Sequence, residues 1–160
     1  MEYMDNKWVR LGLWVGGCLL VGGVSSILTA EAITTWYATL SKPWFSPPNW
    51  LFGPVWTLLY VMMGVAAWRV HSAKANAARL LALRFFVIQL ALNFAWSLVF
   101  FGERAIAWGL LEIILLWAAI VATVITFWRV DRPAAWLLGP YLAWVSFATV
   151  LNAALLSLNR

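Results

Sequence analysis

The sequence predicts an all-α membrane protein, a five-transmembrane-helix bundle with a structured loop between spans one and two that caps a pocket. Three observations carry this. The 160 residues are 64% hydrophobic and 11% charged, with a mean hydropathy of +0.85, whereas soluble domains carry about 25% charged residues. The apolar residues fall into five runs, each long enough to cross a hydrocarbon core of about 30 Å. Between the first two runs lies a stretch crowded with prolines and aromatic rings, unlike either a soluble loop or a short polar membrane loop.

The first span is read at 8–30, with one charge, Arg10, near its start. Its length and Trp14 favour a retained span over a cleaved signal peptide, which has a shorter apolar core. Gly12 and Gly16 have the spacing of a close helix contact, and Gly17, Gly22 and Gly23 add small surface. The loop 31–48 follows. Pro43, Pro47 and Pro48 hold it extended, and Trp36, Tyr37, Trp44 and Phe45 give it apolar surface to fold back with.

Span two is read at 49–70, started by Pro47-Pro48. Pro54 inside it cannot donate to the carbonyl of Trp50, which predicts a kink or a free carbonyl. Spans three, four and five are read at 79–101, 105–128 and 133–156, joined by Gly102-Glu103-Arg104 and by Arg129-Val-Asp131-Arg132. Pro140 predicts a kink in the fifth. The whole of 1–160 reads as one membrane domain.

Charge gives the orientation. Lys7, Arg10, Arg69, Lys74, Arg79, Arg84, Arg129 and Arg132 fall at one end, against Lys42, Arg104 and Arg160 at the other. This places the N-terminus in the cytoplasm and the loop outside it. The net charge of +5 therefore reports topology. The bases sit at the edges of apolar runs and form no patch for nucleic acid. One cysteine, Cys18, and one histidine, His71, make neither a disulfide nor a metal site.

Several spans carry polar or ring residues where lipid-facing leucine would be cheaper. Gln89, Asn93 and Ser97 form a stripe at i, i+4, i+8, with Trp96 and Phe100 beside it. Trp56 and Tyr60 share a face of span two. Tyr141, Trp144, Ala148 and Asn152 share a face of span five. Glu112 is a carboxyl about two turns inside span four, where it needs a partner or a proton. At 1.5 Å per residue, most of these positions lie within about 20 Å of the loop side. Gln89 and Asn93 fit interhelical hydrogen bonding as well as a ligand contact, and Glu112 fits either role too. No catalytic constellation and no glycine-rich phosphate loop is present. An apolar cavity lined with indoles suits a flat or rigid hydrophobic ligand. Sterols, polyaromatic drugs and tetrapyrroles all fit.

The stretch WYATLSKPWFSPPNWLFGPVWTLLYVMMG, from Trp36 to Gly64, resembles the signature of the translocator proteins (the TspO/MBR family). These are also called tryptophan-rich sensory proteins or peripheral-type benzodiazepine receptors. The stretches Asn93–Gly102 and Pro140–Asn152 resemble the third and fifth spans of that family. The resemblance covers about Trp36 to Asn152. It implies a five-helix bundle, usually a homodimer, whose first long loop caps a pocket for porphyrins, cholesterol and benzodiazepine-type drugs. By resemblance, Trp36 and Tyr37 belong to the cap. Trp56, Asn93, Trp144 and Ala148 belong to the pocket, and Glu112 falls where members can carry an acid. Tyr60, Trp96, Ser97 and Asn152 join the candidate ligand contacts from their stripes. Animal members carry a tyrosine and then a basic residue after the position of Asn152. Here the stretch is Ala153-Ala-Leu-Leu-Ser-Leu-Asn-Arg160, which argues against high-affinity cholesterol binding and towards tetrapyrroles.

The resulting expectation is a receptor, sensor or carrier for hydrophobic tetrapyrroles such as porphyrin and haem precursors, with no required cofactor. The alternative is light- and oxygen-dependent degradation of bound porphyrin. The short tails resemble bacterial members and imply a bacterial cell membrane. A homodimer is expected through Gly12-x-x-x-Gly16 or Ala78-x-x-x-Ala82, with span three favoured by resemblance.

Overall fold

The computed structural model describes residues 6–160. Helix α1 (Lys7–Thr34) starts on a cap, because the Asn6 side chain accepts from the Trp8 N–H at 3.0 Å. A short helix α2 (Trp36–Thr39) follows, then extended chain, then α3 (Asn49–Ser72). Helix α4 (Ala77–Ser97) is capped by Asn76 and continues through a π-helical turn, Leu98–Gly102. Helix α5 (Ile106–Val130) leads into α6 (Arg132–Leu137) and α7 (Gly139–Leu158). Five helical stretches, with α6 and α7 counted as one, are long and apolar enough to cross a membrane. No strand occurs among the described residues.

Two boundaries differ from the sequence reading. The loop read at 31–48 is largely helical in its first half. Residues 31–34 are the last turn of α1, and only 35 and 40–48 lie outside helix. No helix breaker precedes Pro43, and the Thr34 and Thr35 hydroxyls donate to the Glu31 carbonyl at 3.1 and 2.7 Å, closing the final turn. The fifth span breaks at Leu138, whose N–H turns back to the Ala135 carbonyl at 3.1 Å. Pro140, two residues on, has no N–H to offer the Trp136 carbonyl. Pro54, by contrast, leaves α3 unbroken.

Helix α1 lies along α3, α4 along α5, and α5 along α7. Gly64 permits the first of these contacts, since a Cβ there would stand 2.5 Å from the Val15 Cα. The core runs between these pairs. Phe86 stacks on Phe127 at 5.9 Å, and Met63, Ala66, Ala67 and Ile120 are fully buried around them. Side-chain bonds hold both ends of the bundle. At the basic end, Arg69 grips Asp131 through Nε at 2.6 Å and Nη2 at 3.2 Å. There too the Trp14 indole donates to His71 Nδ1 at 2.8 Å. At the other end, the Asn159 side chain accepts from the Ser41 N–H and donates to the Ser41 carbonyl, both at 2.9 Å. The chain after α2 is thereby tied to the end of α7.

The two small-residue motifs fare differently. Ala82 is fully buried inside the bundle, so Ala78 and Ala82 do not form one outward stripe. Gly12 and Gly16 have open space where their Cβ atoms would be.

Candidate functional site

A cavity of about 390 Å³ lies between α1, α3 and the end of α4. Helix α3 supplies Phe52, Trp56, Thr57 and Tyr60, α4 supplies Trp96 and Ser97, and the π-turn supplies Phe101. Tyr37, from the segment between spans one and two, closes one end. Its ring stands edge-on to Phe100 and Phe101 at 6.3 and 5.6 Å, under the Lys42 ammonium at 4.8 Å. Burial holds the Tyr37 phenol above its ordinary pKa, so it stays neutral at physiological pH. Several wall residues, including Leu19, Gly23, Gly53 and Thr57, are exposed, so the cavity is open at the α1–α3 seam.

A second, narrow space of about 30 Å³ lies towards α7 and is lined by Trp144, Ala148 and Asn152. The rings of Tyr37, Phe52, Trp56, Trp96 and Phe101 line both spaces and form the partition between them. Trp96 stacks on Phe100 at 5.3 Å, and its indole donates to the Asn152 Oδ1 at 3.4 Å. Asn152 in turn donates to the Ile106 carbonyl at 3.0 Å.

Asn93 is placed differently. It is 1% exposed and lines neither space. It accepts from the Tyr60 hydroxyl at 2.5 Å and donates to the Tyr141 hydroxyl at 2.9 Å. Tyr141 then donates to Gln89 Oε1 at 2.9 Å. This buried chain of hydrogen bonds joins α3, α4 and α7 and fixes the orientation of the Tyr60 ring, which is a wall of the cavity. Asn93 thus touches the cavity only through Tyr60.

Glu112 is not part of this assembly. It lines a shallow groove of about 550 Å³ between the π-turn and α5, with Glu103, Trp108 and Val99, which shares no residue with either space. Its carboxylate oxygens are buried without a hydrogen-bond partner. Trp36 packs edge-on against Phe100 at 5.6 Å, behind the cavity wall. Of the residues singled out from sequence, Tyr37, Trp56, Tyr60, Trp96 and Ser97 therefore meet around the larger space. Trp144, Ala148 and Asn152 meet around the smaller one. Trp36 and Asn93 support walls, and Glu112 lies apart.

The sequence reading missed the α1 wall. Gly22, Ser25, Ser26, Thr29 and Ile33 follow one another at i, i+3, i+4, i+7, i+11 and all face the cavity. That spacing was the available signal. Among the described residues, no group of His, Cys, Asp or Glu is arranged to hold a metal.

A helical bundle of five apolar spans, with a ring-lined cavity that Tyr37 helps to line, defines an integral, multi-pass membrane protein. Residues 14–158 match the TspO/MBR family, and the chain belongs to that family. It is similar to the tryptophan-rich protein TspO of Chlorobaculum tepidum, with 46% identity over 158 residues, covering 98% of this chain and 99% of that one. It is 35% identical over 156 residues to the tryptophan-rich sensory protein of Cereibacter sphaeroides, covering 98% and 95%. It is 42% identical over 119 residues to the translocator protein of Homo sapiens, covering 73% and 70%.

Proposed function

We propose that this protein is a membrane receptor or sensor that binds hydrophobic tetrapyrroles and related flat apolar ligands in the cavity between α1, α3 and α4. One observation carries the reading. The rings of Trp56, Trp96, Tyr37, Phe52 and Phe101 surround a space that is open at a helix seam and has no charged side chain in its wall. Flat aromatic ligands gain both area burial and ring–ring contact in such a place. The small space behind the partition offers room for the same ligand to extend towards Ala148 if the rings turn. The names of the relatives, sensory protein and translocator protein, agree with a receptor or sensor role. The two bacterial relatives favour a bacterial cell membrane.

The test is titration of protoporphyrin IX into purified protein in nanodiscs, followed by tryptophan quenching in the dark, with product analysis after illumination. Saturable quenching with unchanged porphyrin supports binding. Porphyrin consumed only under light and oxygen supports degradation instead. Absence of saturable quenching sinks the tetrapyrrole reading. The protein is further proposed to act as a homodimer, with Gly12 and Gly16 on α1 uncovered within one chain. Crosslinking in a native bilayer that traps only monomer would exclude this.

A further inference from the structure

The α1 side of the cavity holds a hydroxyl that the fold does not use. Ser25 is 5% exposed and lines the cavity, and its Oγ has no hydrogen-bond partner. A serine or threonine hydroxyl inside an apolar helix ordinarily donates to the carbonyl one turn back. Three other hydroxyls in the wall do so, while Ser26, also in the wall, is exposed. Thr29 donates to the Ser25 carbonyl at 2.8 Å, Thr57 to Gly53 at 2.9 Å, and Ser97 to Asn93 at 3.5 Å. Away from the cavity, Ser146 and Thr149 do the same at 2.8 Å. Ser25 alone among these keeps its proton unspent.

Two other donors of the wall are committed. The Tyr60 hydroxyl is held by Asn93 and the Trp96 indole by Asn152. The Ser25 carbonyl is taken by Thr29, so the hydroxyl is the polar group that this turn of α1 has to offer. Gly22 sits one turn before Ser25 on the same face, with the Tyr60 ring against it, while Ser26 and Gly23 beside Ser25 add no bulk to the α1 wall. A flat ring lying along this part of the wall brings its edge to the hydroxyl. Among the described residues, no Asp, Glu, Lys, Arg or His lines the cavity. An acid group held against Ser25 would be desolvated without a counter-charge, so the group that meets this hydroxyl is a neutral oxygen, and the acids of a ligand stay at the open seam.

We propose that Ser25 forms a polar subsite on α1, whose hydroxyl donates a hydrogen bond to a neutral carbonyl-type oxygen on a flat apolar ligand. This rests on the reading of the cavity as a ligand site and adds what the ligand must carry: a ketone, ester or amide oxygen at its edge.

The experiment uses two shape-matched probes, 2-acetylnaphthalene and 2-isopropenylnaphthalene, which differ by C=O against C=CH₂. Each is titrated by calorimetry into the full chain in nanodiscs, with protein-free nanodiscs subtracted. The wild type should prefer the ketone by about fivefold to tenfold, the span of one neutral hydrogen bond. Ser25→Ala should bind both probes alike, and Thr149→Val, which changes a hydroxyl away from the cavity, should keep the preference. Because the Ser25 hydroxyl holds nothing in the fold, Ser25→Ala should melt at or above the wild-type temperature. The proposal is overturned if neither probe binds, if the wild type shows no preference, or if Ser25→Ala keeps it. A drop of several degrees in the Ser25→Ala melting temperature would also overturn it, by showing that the hydroxyl serves the fold. A parallel titration with protoporphyrin IX dimethyl ester separates the two claims. Ketone preference without porphyrin binding sinks the tetrapyrrole reading alone. Porphyrin binding that is indifferent to Ser25→Ala sinks the subsite alone.

Discussion

Gly22 is the point where cavity, helix contact and hydrogen-bond chain meet, and Gly22→Ala tests all three together. The new Cβ would stand 2.5 Å from the Tyr60 Cδ2, and closer still to Cε2. Carbon atoms in contact prefer about 3.5–4.0 Å. The Tyr60 ring cannot simply swing away, because it is 5% exposed and its hydroxyl is fixed to Asn93 at 2.5 Å. Overpacking of this kind costs about 1–3 kcal/mol, and loss of one interhelical hydrogen bond in a membrane adds about 0.6 kcal/mol. Gly23→Ala is the matched control, with nothing within 4 Å of its Cβ. It should be neutral or gain about 0.5–1 kcal/mol from reduced backbone freedom. The two variants, one residue apart, should thus differ by about 1.5–4 kcal/mol in reversible unfolding in mixed micelles. A Tyr60→Leu change should cost stability in the wild type but much less in Gly22→Ala, giving a non-additive double-mutant cycle. Equal stability of the two alanine variants, or strict additivity with Tyr60→Leu, would refute the argument.

Three further outcomes are expected. Ala148→Leu fills the space of about 30 Å³ behind the ring partition and should weaken porphyrin binding roughly tenfold to a hundredfold, by about 1–3 kcal/mol. Ala119→Leu in α5 should bind like wild type, and equal binding by both would place the ligand wholly on the α1 side. Asn159→Ala removes both bonds to Ser41 and should speed amide exchange across residues 40–47, while α3 and α7 keep their protection. No change there would mean that ring packing alone holds the segment. A cysteine placed by Ser41→Cys in a Cys18→Ala background should react with an impermeant thiol reagent on intact cells, and labelling only after lysis would reverse the orientation.

The spans were legible because each is a long apolar run, and apolar length is what a membrane selects. The breaks were legible only where a residue forces them. Pro43, Pro47 and Pro48 marked extended chain; all three lie outside helix and Pro48 is extended, but Pro43 opens a turn closed by the Ser46 N–H. Nothing before Pro43 forbids helix, so the end of α1 was placed four residues short. Pro140 marked a break in the fifth span, but the break itself falls at Leu138, where the turn back to Ala135 occurs. The π-turn at Leu98–Gly102 left no trace, since Leu-Val-Phe-Phe-Gly is as compatible with ordinary helix.

The site was half legible, and the reason is geometrical. Counting residues from a span end gives depth, at about 1.5 Å per residue. It does not give the direction in which a helix turns its stripes. Asn93 and Ser97 belong to one stripe, yet Ser97 lines the cavity while Asn93 is spent between Tyr60 and Tyr141. Glu112 is only two turns into α5, but it lines a separate groove beside the π-turn. Rotation is set by which neighbour each face packs on, and that information is spread over five helices. Glycine shows the same limit in α1. Gly12, Gly16, Gly17 and Gly23 meet nothing within one chain, whereas Gly22 abuts Tyr60. The residue type is identical, and only the partner across the gap distinguishes a wall from a surface. A polar residue in a membrane helix is therefore best judged by whether the fold already uses its hydrogen bonds. By that criterion Asn93, the residue most prominent in the sequence, is structural support. Ser25, which drew no notice there, is the group with something left to offer a ligand.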